Sequence, residues 1–371
     1  MRLHTVALSL MLGLTGCAAS SQRPANAPDA EPSQPPEAPP VRRVLSAAWR
    51  IFDTGSGASL RGVCGLDERV AWVSGTGGTV LRTIDGGAHW ENVSVPGAAD
   101  FDFRCIHAFY DDEAIVFSAG SPARTYRTDD GGRTWRLTFE DTRPEVFFNA
   151  MRFDLHDFGV AFGDPIGESL QFMTSGDWGS TWRRWQGALA PKALANEVGF
   201  AASNSALALD GVRVYIGLGG GTPLGRARVI SVVPETGDWR CVQTPIASSA
   251  SAGIFSLALL GRNGIVAVGG DYLQPERAEA HWAVSYDRGL TWVQPEGPGP
   301  RGYSSSVAAF PDLGLTVALA VGPYGLDVST NAGNSWTVVD DTPWHALDTT
   351  PNGEAVWMSG PEGRVAVVRI E

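Results

Sequence analysis

Beyond residue 45 the sequence is a succession of short runs, apolar throughout or alternating with polar residues, each closed by a turn rich in Gly, Asp or Pro. Leu60–Cys64, Val70–Ser74, Thr79–Arg82 and Trp90–Val93 form one group, and Arg104–Phe109, Ala114–Ser118, Arg124–Arg127 and Trp135–Phe139 repeat it. Runs this short predict strands rather than helices, and four to a group predict a small antiparallel sheet.

The groups share a turn. Five segments fit Ser/Thr-x-Asp-x-Gly-x-Thr-Trp: Thr83 to Trp90, Thr128 to Trp135, Ser175 to Trp182, Ser285 to Trp292, and Ser329 to Trp336 with Asn331 in the Asp position. These are Asp-boxes, with Asp85, Asp130, Asp177 and Asp287 as the other acidic members. Thr236-Gly237-Asp238-Trp239 is a decayed sixth copy. Asp accepts backbone N–H groups freed by a hairpin turn, Gly supplies a positive φ, and the Trp opens the next strand as a large apolar cover. Trp90, Trp135, Trp182, Trp239, Trp292 and Trp336 are separated by 45, 47, 57, 53 and 44 residues. Those are the lengths of β-propeller blades.

After Trp336 the chain supplies three more strands, Trp344–Leu347, Ala355–Ser359 and Arg364–Arg369. A fourth is needed, and Trp49-Arg50-Ile51-Phe52 begins like the fourth strands that start at Trp135, Trp182 and Trp239. The expectation is an all-β, seven-bladed propeller over residues 46–371, closed by an N-terminal strand that completes the last blade. Such closure protects an edge that otherwise recruits other strands.

The beginning of the chain reads differently. Arg2 precedes a mostly apolar stretch from Thr5 to Thr15, and Leu14-Thr15-Gly16-Cys17 resembles the lipobox of bacterial lipoproteins. Residues 1–17 are therefore expected to be an export signal, with Cys17 as the lipidated residue. Ala18 in the next position favours the outer membrane where an organism has two. Residues 18–45, with Pro24, Pro28, Pro32, Pro35, Pro36, Pro39 and Pro40, are expected to be a disordered tether. The anchor is the only membrane contact expected.

A formal charge of −12 argues against nucleic acid as a partner, because phosphate binding rests on clustered Lys and Arg. Cys64, Cys105 and Cys241 are an odd number for an oxidising compartment, and their spacing holds no zinc motif. The chain is read as a monomer with no cofactor and no metal.

The stretch Leu60-Arg61-Gly62-Val63, then Ala71-Trp72-Val73-Ser74-Gly75 and Gly77 to Gly87, resembles the photosystem II stability/assembly factor-like family of BNR-type propellers. The resemblance extends over residues 46–371. It implies a non-catalytic scaffold that holds partner proteins. The proline tether, the longer fourth and fifth blades and the acidic charge set this chain apart from photosynthetic members. Val146 to Met151 and Gly159 to Pro165 look like a subgroup found outside photosynthesis.

Asp-boxes also occur in sialidases, so a glycoside hydrolase or carbohydrate-binding propeller is the second reading. That chemistry needs an arginine cluster, an acid/base carboxylate and an activated nucleophile. Arg50-Ile51-Phe52 is the nearest match to the opening sialidase motif, and the closing strand already claims it. No catalytic residue is assigned. Gly217-Leu218-Gly219-Gly220-Gly221 is followed by Thr222 and Pro223 and reads as a loop, not a dinucleotide site. Arg61, Arg104 and Arg152 fall on the innermost strands of the first three blades and are expected to gather at the channel mouth, or else to pair with nearby carboxylates such as Asp67, Asp112 and Asp154. His107 and His156 sit near them; His107 joins the candidate surface. Tyr272, Trp282 and the segment Gln274–Glu279 interrupt the fifth blade, a reasonable place for partner contact.

Overall fold

Arg50–Asp53 lies antiparallel to Arg364–Arg369, with Arg50 opposite Val367 and Phe52 opposite Val365, so the two ends of the propeller share one sheet. The computed structural model describes residues 49–154, 157–185, 190–310 and 317–369. Cys17, the 18–45 segment and His156 lie outside the described residues.

Blade 1 comprises Leu60–Gly65, Ala71–Gly75, Val80–Thr83 and Glu91–Asn92, hydrogen-bonded in that order. Blade 2 follows with Asp102–Ala108, Ala114–Ala119, Ala123–Thr128 and Arg136–Asp141, and blade 3 with Phe148–Phe153, Phe158–Ile166, Ser169–Gly176 and Arg183–Arg184. Blade 4 is Leu207–Leu209, Val214–Gly217, Arg226–Val233 and Asp238–Ala247; blade 6 is Ser306–Phe310, Val317–Gly322, Gly325–Ser329 and Thr337–Asp340. Blade 7 takes Ala346–Thr349, Ala355–Ser359 and Arg364–Arg369 from the end of the chain and Arg50–Asp53 from its beginning.

Blade 5 departs from the template. Its own strands are Ala252–Leu260, Gly264–Asp271 and Trp282–Ser285, and the expected fourth strand shrinks to one bridge between Val284 and Val293. On the inner side its sheet gains Glu197–Val198 and Gly219–Gly220. The glycine run is therefore partly strand. A Cβ on Gly219 would stand 2.6 Å from the Gly253 Cα, so only glycine lets these backbones approach.

The core is distributed around the ring. Among the described residues the buried apolar side chains fall into seven clusters, each built from two neighbouring blades. The tryptophan that opens a fourth strand packs in or against each: Trp90 between blades 7 and 1, Trp135 between 1 and 2, Trp182, Trp239, Trp292 and Trp336 at the next four, and Trp49 between 6 and 7. The residue that opens a fourth strand thus seals its blade against the preceding one. Trp49 does this without a box before it, as blade closure requires.

The box turns share one set of bonds. In blade 1, Thr83 Oγ1 donates to Asp85 Oδ1 (3.0 Å) and accepts the Gly87 N–H (2.9 Å), while Asp85 Oδ1 accepts the His89 N–H (2.9 Å). The same three contacts recur at Thr128/Asp130, Ser175/Asp177, Ser285/Asp287 and Ser329/Asn331. The fifth residue of the box needs glycine, with φ between +74° and +85° in all five. The decayed copy at 236–239 lacks these bonds; Val233 pairs with Asp238 in a tight hairpin instead, and the fourth strand runs on to Ala247.

Candidate functional site

In four blades the innermost strand carries a bulge that leaves one residue out of register with its neighbour: Arg61, Arg104, Asn149 and Phe255. A bulge re-aims the extra side chain. These four therefore mark one rim of the channel, at the start of the innermost strands. Arg152 lies three residues beyond the bulge of its strand and emerges at the opposite end. The structure brings Arg61 and Arg104 together and separates Arg152 and His107 from them.

At the rim Arg104 donates from Nε to Asp102 Oδ2 (2.7 Å) and from Nη1 to the Ala201 carbonyl (3.1 Å). Arg61 has no hydrogen bond or ion pair among the described residues. Burial, and after it the charge of Arg104, lowers its pKa below the usual guanidinium value. Burial raises the Tyr303 phenol while both arginines oppose that shift, and its hydroxyl has no hydrogen-bond partner among the described residues. Arg61 and the Tyr303 hydroxyl are thus left without hydrogen-bond partners among the described residues, next to an Arg104 already held by Asp102; the planar fork of a guanidinium is of the kind that suits a carboxylate.

The rim also holds a pair that invites a catalytic reading. Ser59 Oγ stands 3.1 Å from His345 Nε2. Burial first, then Arg61 and Arg104, brings the imidazole down to about 4, too weak a base to activate a hydroxyl at neutral pH. Among the described residues no carboxylate meets the other ring nitrogen, so the orienting third group of a triad is missing. Of the nearby carboxylates, Asp102 binds Arg104 through Oδ2, and Asp164 Oδ1 accepts the Asn149 amide and the Gly199 N–H, both at 2.8 Å.

Residues 199–206, inserted before the innermost strand of blade 4, cross the channel. Every residue from Ala201 to Ala208 is buried. Phe200 stacks on Phe255 of blade 5 at 3.9 Å, Ala201 accepts Arg104 of blade 2, and Ser203 Oγ donates to the Ser305 carbonyl at the start of blade 6 (2.7 Å). Asn204, at φ +63°, accepts the Met151 N–H (2.7 Å) and donates to the Ile106 carbonyl (3.2 Å). Small residues let the segment fit between seven converging strands. Asn204→Ala orphans two buried backbone groups and is expected to cost about 3 kcal/mol in urea unfolding; an unchanged midpoint would show that the plug is not pinned there.

Beyond the plug a recess of about 650 Å³ opens on the opposite face, lined by His107, Phe109, Arg152, Leu209, Leu259 and Asp348 among others. Arg152 pairs with Asp348 of blade 7 at 3.4 Å, not with Asp154, and Asp348 also accepts the Gly65 N–H (3.3 Å). His107 lies against Phe109 and Phe153, with centroids 4.9 and 5.0 Å away; burial, then Arg152, lowers it to about 3 and keeps it neutral. Burial, then Asp348, pushes the Cys64 thiol up to about 12. Cys64, Cys105 and Cys241 are all free, and among the described residues no three His, Cys, Asp or Glu side chains gather as metal ligands would.

Comparison with known proteins bears on the same features. The family model described as Photosynthesis system II assembly factor YCF48 matches residues 41–146. The Photosystem II assembly lipoprotein Ycf48 of Synechococcus sp. (strain CC9902) is 28% identical over 103 residues, a match spanning 28% of this chain and 31% of that relative. Among solved structures, YCF48 bound to D1 peptide superposes with a TM-score of 0.59 at 16% identity, covering 87% of this chain and 97% of the other. YCF48 from Cyanidioschyzon merolae gives 0.60 at 15%, covering 87% and 99%. The Pan2 WD40 domain of Neurospora crassa gives 0.60 at 14%, covering 86% and 95%, so these superpositions carry the fold and not the function. The chain is thus a seven-bladed β-propeller whose residues 41–146 are similar to photosystem II assembly factors of the YCF48 type.

Proposed function

We propose that the protein is a non-catalytic propeller scaffold for complex assembly that holds a protein partner at the rim formed by Arg61 and Arg104, anchored in the bacterial cell envelope through lipid on Cys17. The observation that carries this reading is Arg61. Removing a cation from water costs free energy, and the Asp102 carboxylate, already paired with Arg104, offsets only part of it for Arg61, which makes no ion pair of its own among the described residues. A carboxylate supplied by a partner would offset the rest. A YCF48 propeller with D1 peptide bound to it supports this fold as a peptide receptor, and the description of the Synechococcus relative as a lipoprotein supports the anchor. The outer membrane is the favoured location where there are two, with the 18–45 segment as spacer.

Rim and anchor are tested separately. Crosslinked partner recovered from the native envelope should fall away when Arg61 is replaced. Full-length protein should partition into the detergent phase of a phase-separating extraction and shift to the aqueous phase on Cys17→Ser; no shift would contradict the anchor.

A further inference from the structure

We propose that the recess on the face opposite the arginine rim binds a small amphiphile with an apolar body and an uncharged hydrogen-bonding head of the carboxamide kind. The site is separate from the rim and does not depend on it.

The recess is blind. Its volume of about 650 Å³ falls within the range of small-molecule sites, about 300–1,000 Å³. The plug closes its inner end, because the single side chain of Asn204 holds both the Met151 N–H of blade 3 (2.7 Å) and the Ile106 carbonyl of blade 2 (3.2 Å). The next residues on those two strands are Arg152 and His107, which therefore lie at one depth, just beyond the plug, and both line the recess. Contacts link this floor across four blades. Arg152 Nη1 reaches Asp348 Oδ1 of blade 7 (3.4 Å), and Asp348 Oδ2 accepts the Gly65 N–H of blade 1 (3.3 Å). The preceding residue, Cys64, accepts the Ala108 N–H of blade 2 on its sulfur (3.3 Å), and His107, beside Ala108, packs on Phe153 of blade 3 with centroids 5.0 Å apart.

The walls divide by chemistry. Among the described residues, blades 4, 5 and 6 line the recess with apolar side chains alone: Leu207, Leu209, Leu257, Leu259, Val307 and Phe310, with alanines between them. The ionisable side chains all come from the other side of the ring. An apolar wall facing a few convergent polar groups is the composition of a small-molecule site.

The polar side selects the head. His107 makes no hydrogen bond among the described residues, so its neutral ring offers one donor and one acceptor, both open. Arg152 spends one long contact, to Asp348, and keeps the rest of its fork. The charges of that pair cancel. Asp154, two residues nearer the opening, opposes an entering anion, while Arg152 at the floor opposes a cation. An uncharged head meets neither objection. A carboxamide accepts from the guanidinium through its oxygen and donates to the imidazole through its N–H. The imidazole is already held out of bulk water, so covering it adds little desolvation cost.

The test titrates octanamide, octanoate, octylammonium and propanamide into the full chain bearing Cys17→Ser, purified without detergent, by ligand-observed NMR at pH 7. Octanamide is expected to bind fivefold or more tighter than each of the other three. Two substitutions probe the two sides. His107→Phe keeps a ring against Phe109 and Phe153 and orphans no partner, so the urea midpoint is expected to stay while octanamide affinity falls fivefold or more. Leu259→Asn, on the half-buried apolar wall, is expected to weaken octanamide by a similar factor. Any of the other three probes binding as tightly as octanamide would overturn the assigned ligand chemistry. Octanamide binding that is absent, or unchanged by either substitution, would overturn the recess as its site. Neither result bears on Arg61.

Discussion

Replacing Arg61 by methionine is expected to weaken partner binding by roughly 30-fold or more while raising the stability of the free propeller by about 1 kcal/mol. The two signs belong together. A structural arginine, such as Arg104 with Asp102 and the Ala201 carbonyl, leaves groups unpaired when it is removed. Arg61 leaves none among the described residues, and its aliphatic stem is replaced by methionine at similar volume. What is lost is a guanidinium whose desolvation opposes folding and whose charge is available to a ligand. Loss of about 2 kcal/mol of binding is what truncating one member of a buried charge pair produces, and about 30-fold is that energy as a ratio. Urea unfolding and partner titration on the same preparation read both effects. A drop in stability with binding unchanged would make Arg61 a structural residue.

Truncation through Asp53 is expected to cost more than 5 kcal/mol, roughly the whole stability of an ordinary domain. It removes the ladder against Arg364–Arg369, takes Trp49 from the cluster between blades 6 and 7, and takes Phe52 from the cluster between blades 7 and 1. The stripped strand becomes an open edge in the place where the ring closes. Phe52→Ala is the milder version. Its ring stacks on Trp357 at 6.3 Å and covers Gly87, where an added Cβ would come within 2.5 Å of it. Loss of about 2 kcal/mol is expected for a ring that is only partly enclosed. Cooperative melting of the truncated chain at the full-length midpoint would contradict closure by this strand.

The architecture was legible because a structural signal repeats. Seven tryptophans opening seven fourth strands could be counted, and each seals one interface between blades. Trp49 could be placed without a box because ring closure demands a strand where the chain runs out. The site was harder to read. Arg61, Arg104 and Arg152 look equivalent when strands are aligned by their apolar residues, but a bulge occupies one position and turns only its own residue toward the rim. Asn149, not Arg152, is the third member of that series. Nothing in the local pattern marks a bulge. The plug was legible only as extra length between Trp182 and Trp239, because residues 199–206 are mostly small apart from Phe200, lack a strand period and are fixed by bonds to blades distant in sequence. Tyr303 and His345 reach the rim from blades 6 and 7, where no sequence motif flagged them.

Docking at the rim is tested most sharply by a photoreactive amino acid placed at Tyr272, on the same face as Arg61 and Arg104, or at Ile84, in the box turn on the opposite face, in full-length protein in its native cells. One defined protein adduct is expected from position 272, lost with Arg61→Met, and little or none from position 84. An adduct that survives Arg61→Met, or that forms equally from both faces, would contradict a partner held at this rim.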